Sequence, residues 1–413
     1  MIASIKFYKE TNFKETVIGK IPIDWKIVRA LDAAEYINGY PFSPKDWKTK
    51  GLPIIRIQNL NDPLAEFNYF QGDIDERYKV KDGDLLFSWS ASIGVYIWRG
   101  GDAVLNQHIF KVIPKSFVNK MFLYYVLFLA IEQLKKRIHG STMKHFRRGE
   151  LRTTFIPLPS LPEQQRIVEV LSCVDLAIQR VDEAIARAER LKKGLMQHLL
   201  TKGIGHKEYK ETPIGKIPKD WRVVRLENVA EIRGNKRINS IEKIAFIPME
   251  LISESKIFAD YQIRTKEEVK SFTYCEPGDI LLAKITPSLE NGKQGIVPYD
   301  IPNKIALATT EVFPIHCKKV STLFLFYILK FSKFRNKIIA SMTGTTGRQR
   351  ATKRSVLKLE IPLPSPLEQQ KIAEILSSTD NILQLKKKKR EKLVRMKRRL
   401  MDLLLTGRVR VIV

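Results

Sequence analysis

The sequence is poor in cysteine and has no long apolar run. Its three cysteines, Cys173, Cys275 and Cys317, show no CxxC spacing. This excludes a disulfide framework and a cysteine zinc site, and it indicates a reducing, cytoplasmic compartment. The start, MIASIKFYKE, lacks the apolar run of a signal peptide. The longest apolar run, residues 121–131, is shorter than the roughly 20 residues of a membrane span, so we expect a buried helix there and no membrane partner.

Sequence motifs of catalysis are also missing. The chain contains no Pro-Pro pair, which excludes the Asp/Asn-Pro-Pro-Tyr/Phe tetrapeptide that grips the flipped base in DNA methyltransferases. It has no Walker-type phosphate loop and no HExxH zinc motif. Its six histidines are scattered and suggest no catalytic triad. We therefore expect no catalytic residue, no cofactor and no bound metal.

Acidic residues are few relative to basic ones. The chain has 72 Lys and Arg against 44 Asp and Glu, a formal net charge of +28. Such an excess favours a polyanionic partner, with nucleic acid ahead of an anionic membrane surface. A charge that serves solubility alone is the alternative.

The chain contains the same two phrases twice. IPLPSLPEQQRI at 156–167 recurs as IPLPSPLEQQKI at 361–372, and TVIGKIPIDWKIVR at 16–29 recurs as TPIGKIPKDWRVVR at 212–225. The apolar segment 122–138 likewise has a counterpart at 323–339. A repeat of about 200 residues is the size of a domain, which excludes a short-period solenoid.

Each IPLP phrase predicts the start of a long helix. Ser160 and Glu163 fit a capping box, while Ser365, Pro366 and Glu368 suit the positions Ncap, N1 and N3. Each helix is expected to end near Gly203 or Gly407. In the first helix apolar residues alternate at spacings of four and three, missing only Lys192, and Lys386 and Arg390 interrupt the second. The predicted helix–helix seam is Ile167, Leu171, Val174, Ile178, Val181, Ile185, Ala188, Leu195, Leu199, Ile372, Leu376, Leu383, Leu393, Leu400 and Leu404.

Between the phrases lie two dissimilar middles with short β-rich runs, such as 52–60 and 83–89. We predict mixed α/β (α+β) globular domains at 1–159 and 204–364, and helical segments at 160–203 and 365–413. Duplication suggests a pseudo-two-fold repeat in which the two long helices form an antiparallel coiled coil that separates the globular domains. Two unrelated amphipathic helices, each on its own domain, are the alternative.

This layout resembles the specificity subunit of type I restriction-modification enzymes. The resemblance rests on two variable domains, each entered through a GKIPxDW segment and left through IPLPxxxEQQ into a long helix, and it covers nearly the whole chain. It implies two target recognition domains that read one half each of a bipartite site in double-stranded DNA. It also implies helices that set the gap and dock two methyltransferase subunits, with a restriction subunit joining them.

Candidate DNA-binding residues follow from side-chain chemistry, because Arg and Lys bind phosphates while Asn, Gln and Arg pair with base edges. Two corresponding loops supply phosphate candidates: Gly140, Ser141, Thr142, Lys144, His145, Arg147 and Arg148, then Thr345, Thr346, Arg348, Gln349, Arg350, Lys353 and Arg354. The candidate base readers are Arg56, Gln58, Asn59, Asn106, Gln107 and His108 in the first domain, and Lys284, Thr286, Thr309 and Thr310 in the second. Divergence of the middles predicts an asymmetric site.

The stretch 386–399 holds ten basic residues and one acidic residue. It is either a solvated basic face or a surface for DNA phosphates or an acidic partner. Two other functional classes stay open at this point. One is a DNA-modifying enzyme with an unrecognised active site, and the other is a coiled-coil scaffold whose charge serves protein contacts.

Overall fold

The computed structural model describes residues 5–62, 64–90, 92–137, 150–238, 242–345 and 347–412. Its contacts divide the chain into two compact units, Met1–Arg180 with Arg390–Val413, and Val181–Lys389. Each unit contains a globular part and portions of two long helices. No helix of the described residues is long and apolar enough to cross a membrane.

The first unit is built from short strands around one long apolar helix. Its elements before the first long helix are β1 (Phe7–Lys9), β2 (Phe13–Lys14), β3 (Ile21–Pro22), β4 (Lys26–Arg29), α1 (Ala30–Ala33), β5 (Ala34–Asn38), β6 (Leu52–Ile55), α2 (Ile57–Asn61), β7 (Asn68–Phe70), β8 (Lys79–Val80), β9 (Leu85–Ser88), β10 (Gly94–Ile97), β11 (Ala103–Leu105), β12 (Ile109–Pro114), α3 (Lys120–Arg137), α4 (Glu150–Thr153) and β13 (Phe155–Leu158).

Two four-stranded sheets organise this unit, in the orders β10-β9-β12-β5 and β7-β6-β11-β8. In the first sheet Phe87 lies opposite Phe110 on antiparallel strands, and in the second β6 and β11 run parallel. The core includes Phe122, Leu123 and Val126 of α3, packed with the first sheet. The buried helix predicted at 121–131 is therefore present.

The second unit repeats this plan. Its elements, with the two long helices, are α5 (Leu161–Lys202), β14 (Tyr209–Lys210), β15 (Ile217–Pro218), β16 (Arg222–Arg225), β17 (Ala230–Ile232), β18 (Ile244–Ile247), β19 (Gln262–Arg264), β20 (Thr273–Cys275), β21 (Ile280–Ala283), β22 (Gln294–Ile296), β23 (Ala306–Ala308), β24 (Val312–Cys317), α6 (Thr322–Lys330), α7 (Ser332–Ala340), α8 (Lys353–Leu357), β25 (Glu360–Leu363) and α9 (Pro366–Leu405), followed in the first unit by β26 (Val409–Val411).

The sheets of the second unit have the orders β17-β24-β21-β22 and β19-β18-β23-β20. Each strand has a counterpart in the first unit, with the same neighbours and the same parallel pair, here β18 and β23. The sequence predicts one modest sheet in each middle, and the structure has two. The strands that form them span two to six residues and are too short to be separated by periodicity alone.

The repeated phrases contact each other within the first unit. The indole nitrogen of Trp25, in GKIPIDW, donates to Glu163 Oε2 at 3.1 Å, and Arg410 donates to both oxygens of Glu163 at 2.8 Å. Arg410 also binds Glu10 and Asp24. The Glu163 side chain is only 2% exposed, so this cation balances a buried negative charge.

In the second unit an imidazole takes the place of the guanidinium in this contact. Trp221 donates to Glu368 Oε2 at 2.9 Å, and His206 Nε2 lies 2.8 Å from Glu368 Oε1. The capping-box expectation is therefore half right. The hydroxyls of Ser160 and Ser365 accept from the backbone N–H three residues on, but each glutamate binds its tryptophan instead of returning to the cap.

The long helices begin and end where the phrases and glycines predict. Gly203 and Gly407, just past their ends, have φ of +67° and +71°, a region that glycine enters without the steric cost of a Cβ. Within the second unit α5 and α9 run antiparallel, because Glu189 pairs with Lys387 while Lys192 pairs with Asp380. In the first unit, Asp175 pairs with Lys397 and Glu163 with Arg410, which gives the same direction.

The predicted seam lies on the covered side of both helices. Ile167, Leu171, Val174, Leu199, Ile372, Leu376, Leu383 and Leu404 are buried, and the remaining seam residues are half-buried. Lys192, which interrupts the heptad pattern, faces the buried carboxylate of Asp380. The interruption is therefore an ion pair inside the seam.

Candidate nucleic-acid interface

In the first unit, several candidate base readers lie where strands of the two sheets end. Trp89 follows β9, and residues 106–108 form the turn from β11 into β12. The backbone fixes these segments together, because Trp89 N donates to His108 O at 3.3 Å and Asn106 N donates to Ile55 O at 3.1 Å. We call Arg56, Trp89, Asn106, Gln107 and His108 the first edge.

Polar atoms of the first edge lack partners among the described residues. Arg56 Nε, Gln107 Oε1 and His108 Nδ1 are each buried and accept or donate no hydrogen bond there. The His108 ring packs against Trp89 at 5.5 Å between centroids, and the Arg56 guanidinium lies 5.0 Å from the Trp47 ring centroid. A buried polar atom left unpaired is costly. A ligand that reaches this edge can supply the missing partners.

Two predicted base readers, Asn59 and Gln58, do not belong to the first edge. The Asn59 amide donates to the carbonyls of Ala65 and Glu66, and its oxygen accepts from Arg56 N. Both amide donors are thus used to hold a loop, and we leave Asn59 out of the edge. Gln58 is exposed on α2 and takes no part in the two backbone hydrogen bonds that define the edge.

The second unit has an edge at the corresponding place. Lys284 follows β21, and residues 309–311 form the turn from β23 into β24. Lys284 N donates to Glu311 O at 3.1 Å, and Thr309 N donates to Ile247 O at 2.9 Å. These two bonds match those of Trp89 and Asn106 in the first unit. The same backbone therefore presents different side chains.

One predicted phosphate-binding loop packs onto this second edge. Thr286 N donates to Gln349 O at 3.1 Å, and Ala351 N donates to Lys284 O at 2.8 Å. The Arg350 guanidinium, 62% exposed, donates to Glu311 Oε1 at 2.8 Å. We call Lys284, Thr286, Thr309, Thr310, Glu311 and Arg350 the second edge.

The second edge differs from the first edge in having carboxylate side chains. Glu311 Oε2 and Glu290 Oε2 are buried and have no hydrogen-bond partner among the described residues, while Thr286 Oγ1 donates to the other oxygen of Glu290 at 2.8 Å. The Lys284 ammonium lies 5.4 Å from the Phe313 ring centroid. Carboxylates accept hydrogen bonds from amino groups such as cytosine N4, whereas hydroxyls contact several bases.

The other predicted phosphate-binding residues are either exposed or lie outside the described residues. Arg348, Lys353 and Arg354 are exposed, with Lys353 and Arg354 on α8, and Thr345 is exposed before them. Thr346 lies outside the described residues, as do the loop candidates of the first repeat, Gly140, Ser141, Thr142, Lys144, His145, Arg147 and Arg148. Among described residues no cluster of His, Cys, Asp or Glu is placed to hold a metal ion.

A family model for the type I restriction modification DNA specificity domain matches the chain twice, at residues 22–189 and 218–395. The chain belongs to this family. The type I restriction enzyme MjaVIII specificity subunit of Methanocaldococcus jannaschii is 31% identical over the full chain and 99% of its own length. The EcoBI specificity subunit of Escherichia coli is 25% identical, over 84% of this chain and 77% of its own.

A solved structure supports the fold. The type I restriction-modification system S subunit from M. genitalium aligns with a TM-score of 0.57 at 15% identity, over 93% of this chain and 96% of its own. The predicted fold class, mixed α/β domains with long helices in a repeated chain, is confirmed by this likeness and by the twofold family match. The resemblance to the specificity subunits is likewise confirmed.

Sequence reasoning missed two edge residues, Trp89 and Glu311. Trp89 could have been found by aligning the middles on their GD turns, which places it opposite Lys284, since Gly83 and Gly278 share a φ of +85° and each precedes the strand that ends at the edge. Glu311 lies in the later turn from β23 into β24, which this alignment does not reach. The middles share so few identities beyond that turn that the alignment needs the strand pairing, which the structure provides.

Proposed function

We propose that this chain is the specificity subunit of a type I restriction-modification complex, and that each unit reads one half of an asymmetric, bipartite site in double-stranded DNA. The observation that carries the proposal is the pair of edges. They occupy the same place in two matching folds, yet one offers indole, amide and imidazole groups and the other offers lysine, hydroxyl and carboxylate groups. Different donors and acceptors select different base edges.

Phosphate contacts are assigned to the cations around the edges. Arg348, Arg350, Lys353 and Arg354 are exposed beside the second edge, and the corresponding loop of the first repeat carries Lys144, Arg147 and Arg148. Phosphate contacts position a protein on the duplex and make its affinity depend on salt. The net charge of +28 fits this requirement.

We assign the catalysis of the complex to its partners, two copies of a methyltransferase subunit and a restriction subunit. Large aliphatic side chains on the first half of α9 support docking of a partner protein. Leu367, Ile375, Ile382 and Leu385 are 39–66% exposed, while Ile372, Leu376 and Leu383 of the same helix are buried in the seam. An exposed aliphatic row on a helix is typical of a protein-binding surface. We place the complex in the cytoplasm, where the three free cysteines stay reduced.

The test is selection from a random pool of DNA duplexes, with the full chain co-purified with its methyltransferase partner. We expect enrichment of one site made of two unlike short halves separated by a fixed gap. Binding should weaken steeply between low and moderate salt because counterions are released at each phosphate contact. A single continuous motif would contradict the two-edge account. No enrichment even at low salt would favour the scaffold.

A further inference from the structure

The first unit contains a polar contact among three elements, a Tyr–Asp–Lys clasp. Tyr125 of α3 donates to Asp175 Oδ2 of α5 at 2.6 Å, and Lys397 of α9 lies 2.5 Å from Asp175 Oδ1. The Lys397 ammonium also lies 5.4 Å from the Tyr125 ring centroid. One carboxylate thus joins the core helix of the globular part to both long helices.

The second unit contains the same clasp with the long helices exchanged. Tyr327 of α6 donates to Asp380 Oδ2 of α9 at 2.9 Å, and Lys192 of α5 lies 2.5 Å from Asp380 Oδ1. Burial raises the pKa of Tyr125 and of Tyr327, so both hydroxyls stay protonated and donate. The lysine side chains are 19% exposed in both clasps, and those of Asp380 and Asp175 are 6% and 35% exposed.

The clasps constrain register because they are polar positions in an apolar seam. A seam of aliphatic residues repeating every seven positions tolerates a slip of one heptad, since Leu and Ile again meet Leu and Ile. A slipped register separates Lys192 from Asp380 and leaves a buried charge unpaired, which strongly disfavours that register. One polar pair therefore selects a single alignment.

The spacing of the clasp residues is the same in both helices. Asp175 and Lys192 are 17 residues apart on α5, and Asp380 and Lys397 are also 17 residues apart on α9. Equal spacing on antiparallel helices lets both clasps close in one common register. With unequal spacing, no single register of the two helices could form both clasps.

We propose that the two clasps, Tyr125–Asp175–Lys397 and Tyr327–Asp380–Lys192, are positioning groups that fix the register of α5 against α9 and thereby the gap length that the chain accepts between half-sites. The inference rests on the proposed function. The clasp residues themselves need not touch DNA. They act through α5 and α9, each of which contributes residues to both units.

The test is the distribution of gap lengths in DNA selected by variants. Lys192→Met and Lys397→Met each remove one cation, and Lys193→Met is the matched control on the exposed side of α5. We expect the control to keep the single gap of the wild type. In each clasp variant, sites whose gap differs by about three base pairs, the length of one helical heptad, should gain about tenfold in relative enrichment, a loss of roughly 1.4 kcal/mol of discrimination.

Two further variants guard against simple unfolding. Tyr125→Phe with Tyr327→Phe keeps both rings and removes only the hydroxyls, and Lys192→Asp with Asp380→Lys restores an ion pair with reversed polarity. We expect the double Tyr→Phe variant to select a broader distribution of gap lengths than the wild type. The charge-swapped variant should select a narrower distribution than Lys192→Met. Folded variants that bind both halves with the wild-type gap would overturn the clasp proposal and leave the proposed function intact. Failure of the wild type to select a bipartite site would overturn the proposed function itself.

Discussion

At the scale of single residues, Glu163 and Glu368, in the first turn of each long helix, each make two kinds of contact. The backbone N–H of each glutamate is capped by a serine hydroxyl, and its carboxylate accepts from the tryptophan of the other repeated phrase. In the first unit Arg410 completes the site and contacts Glu163, Glu10 and Asp24. The hydrogen bonds that Arg410 donates to Glu163 raise the pKa of Arg410 further above its usual value, so its charge is permanent. A helix start, a loop and the C-terminal strand β26 thus meet at one carboxylate.

We predict that Arg410→Met lowers the free energy of unfolding by about 3 kcal/mol, because it leaves the buried Glu163 carboxylate without its cation. The matched control is Arg408→Met, whose side chain is 60% exposed and pairs with Asp402 at the surface. The control should cost less than about 1 kcal/mol. Urea unfolding of both variants beside the wild type measures the difference. Equal losses in the free energy of unfolding would mean that the ion pairs of Arg410 stabilise the protein no more than an exposed ion pair does.

The sequence identifies the tryptophans and glutamates without revealing that they touch. Both residue types stand inside repeated phrases, and helix-capping rules alone account for the glutamate. The contacts join residues 138 and 147 positions apart, beyond the reach of local patterns. The second partner of the glutamate is less predictable still, since Arg410 in one unit is replaced by His206 in the other.

At the scale of elements, the long helices are the most predictable part of the chain. Cap residues, a heptad pattern and terminal glycines indicate their bounds to within a few residues. The strands are less predictable, because those of the two sheets span only two to six residues and alternate poorly. Lys192 shows the limit of pattern reasoning. It counts as a break in the heptads, although it pairs with a buried aspartate across the seam.

Shortening both helices by one heptad should narrow the gap and preserve both half-sites. Deleting residues 182–188 of α5 together with 381–387 of α9 removes seven residues between the clasp positions of each helix. The rise of 1.5 Å per residue then shortens the spacing by up to about three base pairs. Deleting 182–188 alone shortens the clasp spacing on α5 but not on α9. The two spacings are then unequal, and we expect that variant to lose stability. DNA selection with both deletions measures the gap, and an unchanged gap would contradict a ruler built from these helices.

At the scale of the whole molecule, charge and duplication together indicate the function. The +28 charge indicates a polyanion, and the repetition of two phrases around dissimilar middles indicates two readers of different sequences. The family match at 22–189 and 218–395 agrees with that division. The bases themselves do not follow from the sequence, because base readout depends on how strand ends and loops are placed in a groove. The edges appear only when the strand pairing is known.

The central claim is that each unit reads its own half of the site, and one measurement tests it directly. Random-duplex selection is run on the wild type and on Glu311→Gln, which keeps the shape of the second-edge side chain and removes its charge. Asp300→Asn, an exposed carboxylate of the same unit outside the edge, is the control. We predict that Glu311→Gln relaxes preference at one or two positions of a single half by about 1–3 kcal/mol, while the other half and the gap are unchanged. Changes spread over both halves, or none in either, would contradict the claim.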